Sequence, residues 1–492
     1  MPGPDGTARP PEGPAASGTS LDPADWSAVR AAGHRMLDDM IDHLQRLREQ
    51  PVWRPIPDEA RGRFRAPLPR EPAPLDAVYR EFASAVLPYA AGNLHPGFMG
   101  WVHGAGTVEG MLAELLAGGL NANLGGRDQM PVEVERQVVA WVRQIFGFPE
   151  SAGGLFVTGS SQANLIAVLV ARRAALGEAV RRAGLAGTGR RLVAYASAAV
   201  HGCVPRALDI AGLGSDALRR VPTDAAGRLD AAALAGLVAA DRAAGLAPFL
   251  VVGTAGTVDT GAVDDLAGLA GFCAAEGLWF HVDGAFGALA MLAPGLAPLL
   301  AGIERADSLA LDFHKWGQVP YDAGFVLVRD GALQQATFAA PAGYLRQEER
   351  GLAAGAPWFC DLGPDLSRGF RALKTWFTLK VHGTEAIGRS VAGCCAVARH
   401  LAARVAAEPR LELLAPVALN IACFRHRGRD PDALNAAIVA DLHESGLAAP
   451  STTLLGGRLA IRAAIVNHRT QPRDADALVD AVLQLAARRG AG

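Results

Sequence analysis

The chain has 492 residues, half of them hydrophobic and a fifth charged, with a formal charge of −2 at pH 7. That length exceeds what one hydrophobic core serves and predicts two or three domains. The near-neutral charge leaves no electrostatic footprint for nucleic acid or an anionic membrane surface. Six scattered cysteines without a CxxC spacing argue against a zinc site or disulfide framework and fit a reducing cytoplasm.

In chain order, residues 1–20 are rich in Pro, Gly, Ala and Ser and read as a disordered tail. Residues 21–95 read as a helical segment. Asp22 is placed to cap a helix in which Trp26, Val29, Met36, Met40, Ile41 and Leu44 recur near helical spacing, and a Pro-rich strap over 51–74 follows. From 96 to 375 the pattern turns to β–α alternation. Candidate strands are Gly154–Thr158, Leu192–Ala196, Phe249–Gly253, Leu278–Asp283, Ser308–Asp312 and Gly324–Val328. Near-continuous apolar strands divided by helices predict a parallel sheet covered on both faces. Residues 376–492 read as a smaller α/β domain, with strands near Leu419–Phe424 and Leu459–Val466. The uncharged run 285–303 is long enough to span a membrane, but Pro294 and Pro298 break it, and it reads as a buried crossover.

Only three of the forty-seven basic residues are lysine, and one of them, Lys315, ends the apolar run Leu309-Ala310-Leu311-Asp312-Phe313-His314-Lys315-Trp316. Arginine cannot lose its proton to act as an amine nucleophile, so Schiff-base chemistry requires lysine. Thirty-two residues earlier, Phe280-His281-Val282-Asp283-Gly284-Ala285 puts a carboxylate at a strand's C-terminal end, where open α/β sheets bind ligands. An aspartate there can hold the proton on a pyridinium nitrogen, and the interval suits one strand–crossover–strand unit. Thr158-Gly159-Ser160-Ser161 reads as a turn into a helix whose free N–H groups suit a phosphate, although the same residues also suit a plain N-cap. His201 follows one strand, and Thr254-Ala255-Gly256-Thr257 ends another. Together these residues describe a pyridoxal 5'-phosphate site.

The same residues resemble the group II pyridoxal-phosphate-dependent amino-acid decarboxylases. The resemblance runs from Leu94-His95-Pro96-Gly97-Phe98, through Pro131-Val132-Glu133-Val134-Glu135 and the two motifs above, to Leu366-Ser367-Arg368 and Val466-Asn467-His468-Arg469-Thr470. It implies fold type I, the aspartate-aminotransferase-like α/β fold. A mostly parallel seven-stranded sheet would lie between helices in the large domain. It implies Lys315 as the Schiff-base lysine, Asp283 as the pyridinium partner, Ala285 beneath the ring and His201 stacked on it. Ser160, Ser161, Ser308 and His314 would hold the phosphate, with Thr257 and Asp312 nearby; Asp312 stands where animal members often carry asparagine. It implies a homodimer acting on a small-molecule substrate, an amino acid. Trp101 and His103 fall where aromatic decarboxylases line the side-chain pocket, although Trp101 equally suits packing.

One departure stands out. The family's loop tyrosine, which protonates the intermediate, aligns with Phe359, which has no proton to give. In plant relatives phenylalanine there resembles the aldehyde synthases. The expected activity is therefore decarboxylation of an aromatic or bulky L-amino acid to its amine. The alternatives are oxygen-dependent conversion to an aldehyde, or another fold-type-I carbon–carbon lyase.

Overall fold

A computed structural model describes residues 20–340 and 347–490. Of the described residues, those up to 45 and 57–88 group into one compact unit, and 46–56 and those from 89 on into another. In the first, the helices Trp26–Gln45 and Leu75–Ala85 pack together, tied by Tyr79 to Asp39 (2.6 Å) and by Arg35 to Asp76 (2.6 Å). The first helix is capped by Asp25, whose carboxylate accepts from the N–H groups of Ser27 and Ala28, and not by Asp22. A carboxylate must stand beside the first turn to reach these orphan donors.

The second unit holds two sheets. Its strands are β1 (Phe98–Met99), β2 (Gly153–Val157), β3 (Leu192–Ser197), β4 (Leu218–Val221), β5 (Ala247–Thr254), β6 (Trp279–Asp283), β7 (Ser308–Asp312), β8 (Gly324–Val328), β9 (Leu411–Leu413), β10 (Ile421–His426), β11 (Ala449–Leu455) and β12 (Arg458–Ala464). The seven-stranded sheet has the order β2-β8-β7-β6-β5-β3-β4. β8 runs antiparallel to both neighbours and the remaining pairs are parallel. β2, β3, β7 and β8 are buried along their whole length, as expected when helices cover both faces. All six strands read from the sequence in this region are present. β4 went unread because Arg219 and Arg220 interrupt its apolar run at the sheet's edge.

The five-stranded sheet has the order β1-β11-β12-β10-β9. β1 lies just beyond the domain boundary expected at residue 96, yet it pairs with β11 and so belongs to the C-terminal sheet. The 285–303 run forms three short 3-10 turns linking β6 to β7. Among the described residues no helix is long and apolar enough to cross a membrane.

Candidate active site

Because β2, β3, β5, β6 and β7 run in the same direction, their C-terminal ends share one edge of the sheet. A cavity of about 380 Å³ opens there, lined among others by Trp101, His103, Ser160, Ser161, His201, Asp283, Ala285, Asp312, His314, Lys315 and Tyr321. Eleven expected or newly seen site residues thus meet in one place.

Lys315 Nζ lies 2.9 Å from Asp312 Oδ2. Burial alone would depress the Lys315 ammonium, but Asp312 and then Asp283 outweigh it and hold it above its usual value. Burial likewise pushes against the Asp312 carboxylate, and the Lys315 ammonium with the Ser160 hydrogen bond overcomes it, keeping Asp312 below its ordinary range. Asp312 also accepts from the Ser160 N–H (2.6 Å) and hydroxyl (2.8 Å). The Ser160–Leu176 helix has no cap from its own Gly159, so a carboxylate from β7 stabilises its positive end. His314 Nδ1 accepts from the Ala323 N–H (3.0 Å), and burial lowers its imidazole to about 4, so the ring is neutral.

Asp283 is buried, and desolvation raises its carboxyl above the usual range despite Lys315. Its Oδ1 accepts from the Ala285 N–H (3.2 Å), and the Cys203 thiol lies 3.8 Å from its Oδ2. His201 Nδ1 accepts from the Cys203 N–H (3.2 Å). Gly104 donates its N–H to the His314 carbonyl (3.2 Å); a Cβ there would meet the backbone oxygens of His314 and Lys315, the latter at 2.5 Å. Only glycine lets this wall lie against the lysine's own backbone.

Three expected site residues lie elsewhere. Ser308 begins β7, about 13 Å of strand before Asp312, and its hydroxyl bonds Trp279 and His281 in the interior. It cannot reach an anion at the strand's far end. Thr257 is buried in its own turn, bonding Thr260 and the Ala262 N–H, and the cavity is lined instead by Thr254. Phe359 lies under the Arg368 guanidinium (5.2 Å) and lines a separate cavity with Arg136, Val139 and Leu362. Sequence reading also missed Tyr321. Its ring lies 4.3 Å from His314 and edge-on to His103 at 6.0 Å. Its one signal is position, six residues after Lys315, in a chain with five tyrosines.

The residues present fit pyridoxal phosphate. The Thr254 hydroxyl is buried at the cavity wall without a hydrogen-bond partner among the described residues, a state that a ligand relieves. Asp283 offers a buried carboxylate to a ring N–H, Lys315 an amine to an aldehyde, and Ser161, in the first turn of the Ser160–Leu176 helix, its N–H and hydroxyl to a phosphate.

Comparisons with known proteins agree. Residues 57–427 match the family model described as the pyridoxal-dependent decarboxylase conserved domain. The chain is 34% identical to an aromatic-L-amino-acid decarboxylase of Bacillus atrophaeus, over 90% of this chain and 92% of that one. It is 32% identical to an L-2,4-diaminobutyrate decarboxylase of Rhizobium meliloti, over 85% and 83%. The solved structure of Oryza sativa TDC with PLP and tryptamine superposes with a TM-score of 0.87 at 25% identity, covering 96% of this chain and all of that one. The fold, the motifs at the sheet edge and these likenesses together establish that the chain belongs to the pyridoxal-dependent, group II amino-acid decarboxylase family and is a carboxy-lyase that uses pyridoxal 5'-phosphate.

Proposed function

We propose that the protein decarboxylates an aromatic L-amino acid to the corresponding amine and carbon dioxide. The observation that carries this reading is the wall facing Lys315. Trp101 and His103 stack (5.8 Å between ring centres), Tyr321 meets His103 edge-on, and Val102, Val258 and Phe286 complete an apolar surface. A flat aromatic side chain gains contact there. The ammonium of a diamino acid, as in the Rhizobium meliloti relative's substrate, would want a carboxylate on that wall. The two cavity carboxylates, Asp283 and Asp312, are instead engaged near Cys203, Lys315 and Ser160.

When bound, pyridoxal phosphate supplies a protonated ring that accepts the electron pair left behind as carbon dioxide departs. In this reading Asp283 keeps the proton on the ring nitrogen. Lys315 would provide the amine that holds the cofactor. His201 would hold the cofactor from one side, and the aromatic wall would fix the substrate's side chain and with it the orientation of its carboxylate. Tyr321 then delivers its phenolic proton to the carbon that lost carbon dioxide and recovers one from water. Burial, with Asp312, raises the Tyr321 phenol, so it carries that proton throughout the working pH range.

This role makes amine the product although Phe359 has no proton to give. Incubating the purified protein with tryptophan, tyrosine, phenylalanine, diaminobutyrate and glutamate tests the substrate class. Amine and carbon dioxide from an aromatic member are expected; turnover of diaminobutyrate or glutamate alone overturns it. Tyr321→Phe is expected to slow amine release about a hundredfold, the worth of one general acid, and to raise the aldehyde and peroxide fraction under oxygen. An unchanged rate and product ratio rejects the assignment.

The reading includes a cytoplasmic homodimer. Leu115, Leu116 and Leu120 project exposed from one helix and Met130 from the next, an apolar surface that a second copy would cover. Sedimentation at twice the chain mass is the expected result.

A further inference from the structure

Behind the cavity a buried line of polar groups leads to Asp283, and apart from Asp283 the reaction described above does not use it. Trp279 Nε1 donates to Ser308 Oγ (2.8 Å), and Ser308 Oγ lies 2.9 Å from His281 Nδ1. His281 Nε2 lies 2.7 Å from Asn164 Oδ1. The Asn164 amide nitrogen bonds the Ser160 carbonyl (2.8 Å) and the Cys203 sulfur (3.5 Å), and that sulfur lies 3.8 Å from Asp283 Oδ2. Ser308, His281, Asn164, Cys203 and Asp283 are all buried.

The hydrogens along this line have one consistent arrangement. The Asn164 amide nitrogen faces a carbonyl and must donate, so its oxygen accepts and His281 Nε2 carries a hydrogen. Burial lowers the His281 imidazole to about 4, so the ring is neutral; with its one hydrogen on Nε2, its Nδ1, which lies 3.2 Å from the Ser308 carbonyl and 2.9 Å from the Ser308 hydroxyl, accepts from the hydroxyl. With the Cys203 sulfur accepting from Asn164, its own S–H points to Asp283. Every donor therefore faces the same way, toward the carboxylate.

We propose that this line is a positioning relay, and that Cys203, its last link, holds Asp283 ionised and oriented so that the proton of the pair stays on the cofactor's ring nitrogen. A donor to the carboxylate makes it a weaker base toward that proton. Removing the donor moves the proton toward Asp283 and weakens the electron sink. The Cys203 backbone N–H adds a second link, since it holds His201 through Nδ1. One residue thus braces both the group beneath the nitrogen and the group over the ring face. The inference rests on the proposed pairing of Asp283 with the ring nitrogen.

The test is the ¹⁵N signal of holoenzyme reconstituted with pyridoxal phosphate labelled at the ring nitrogen. The full-length protein is expected at the pyridinium position. Cys203→Ala is expected to move it toward neutral pyridine and to lower kcat about fivefold, the worth of one weak hydrogen bond, with KM unchanged. Cys203→Ser, which keeps a donor, should return the signal. Should Cys203→Ala fail to fold, Ser308→Ala at the relay's remote end gives the same readout, with a smaller shift in the same direction. A pyridinium signal in the parent protein that neither variant moves overturns the relay and leaves the Asp283 pairing standing. A neutral-pyridine signal in the parent protein overturns the pairing, and the relay with it.

Discussion

Asp312 governs the lysine three residues on, because its carboxylate is the strongest influence holding the Lys315 ammonium charged against burial. Asp312→Asn removes that charge and keeps the shape. The Lys315 proton is then lost at lower pH, and covalent capture of pyridoxal phosphate, followed by absorbance of the apo-protein against pH, should begin at a lower pH than in the parent. An unmoved profile would place the control elsewhere. At this scale the sequence was most legible where chemistry and chain position coincide. Lys315, Asp283 and His201 each follow a readable apolar strand, and strand ends in such sheets gather at one edge. The scarcity of lysine alone did not single out Lys315, since Lys374 is also buried, paired with Glu114 at 2.5 Å. Ser308 and Thr257 were misplaced for a different reason. Spacing identifies the strand or turn, but not the end or face on which a hydroxyl emerges, and only packing decides that.

Among the elements, one contact joins two motifs that look unrelated in the sequence, Val132-Glu133-Val134-Glu135 and Leu366-Ser367-Arg368. Arg368 bonds both Glu135 carboxylate oxygens (2.6 and 3.1 Å) and the carbonyls of Leu124 and Phe156 (2.9 and 2.8 Å), in a site nearly closed to solvent. Arg368→Ala strands a buried carboxylate and should cost about 3–5 kcal/mol in urea unfolding. Arg368→Ala together with Glu135→Gln should recover part of that loss; a loss under 1 kcal/mol in the single variant would contradict the burial. Neither the pair nor the antiparallel course of β8 could be read from periodicity, because buried strands look alike whichever way they run. The long helix Arg371–Ala406 kinks at Gly383, whose φ of 73° is left-handed.

The molecule as a whole carries an acid liability. His281 and His314 titrate near 4 when folded, against about 6.5 when free. Their folded values are depressed, so the stability they protect is complete above about 6.5 and is lost as pH falls toward 4, where the unfolded chain binds protons the folded chain refuses. For His281 this amounts to about 3 kcal/mol. The buried Asp283 carboxyl, raised by the same desolvation, takes its proton more readily folded and opposes part of the loss. Urea midpoints of the apo-protein should fall from pH 7 to pH 5, and a flat profile would contradict the neutral histidines. The two sheets also meet at the cavity. Arg462 of β12 donates to the carbonyls of Trp101 (3.0 Å) and Val258 (2.8 Å), and Ser451 of β11 accepts from the Trp101 N–H (3.4 Å). Trp101 is therefore hung from the C-terminal sheet, while Lys315 is mounted on the central one. In the proposed reading, drift in the C-terminal strands that hold Trp101 can therefore resize the mouth for a new side chain while Lys315 and Asp283 stay where they are.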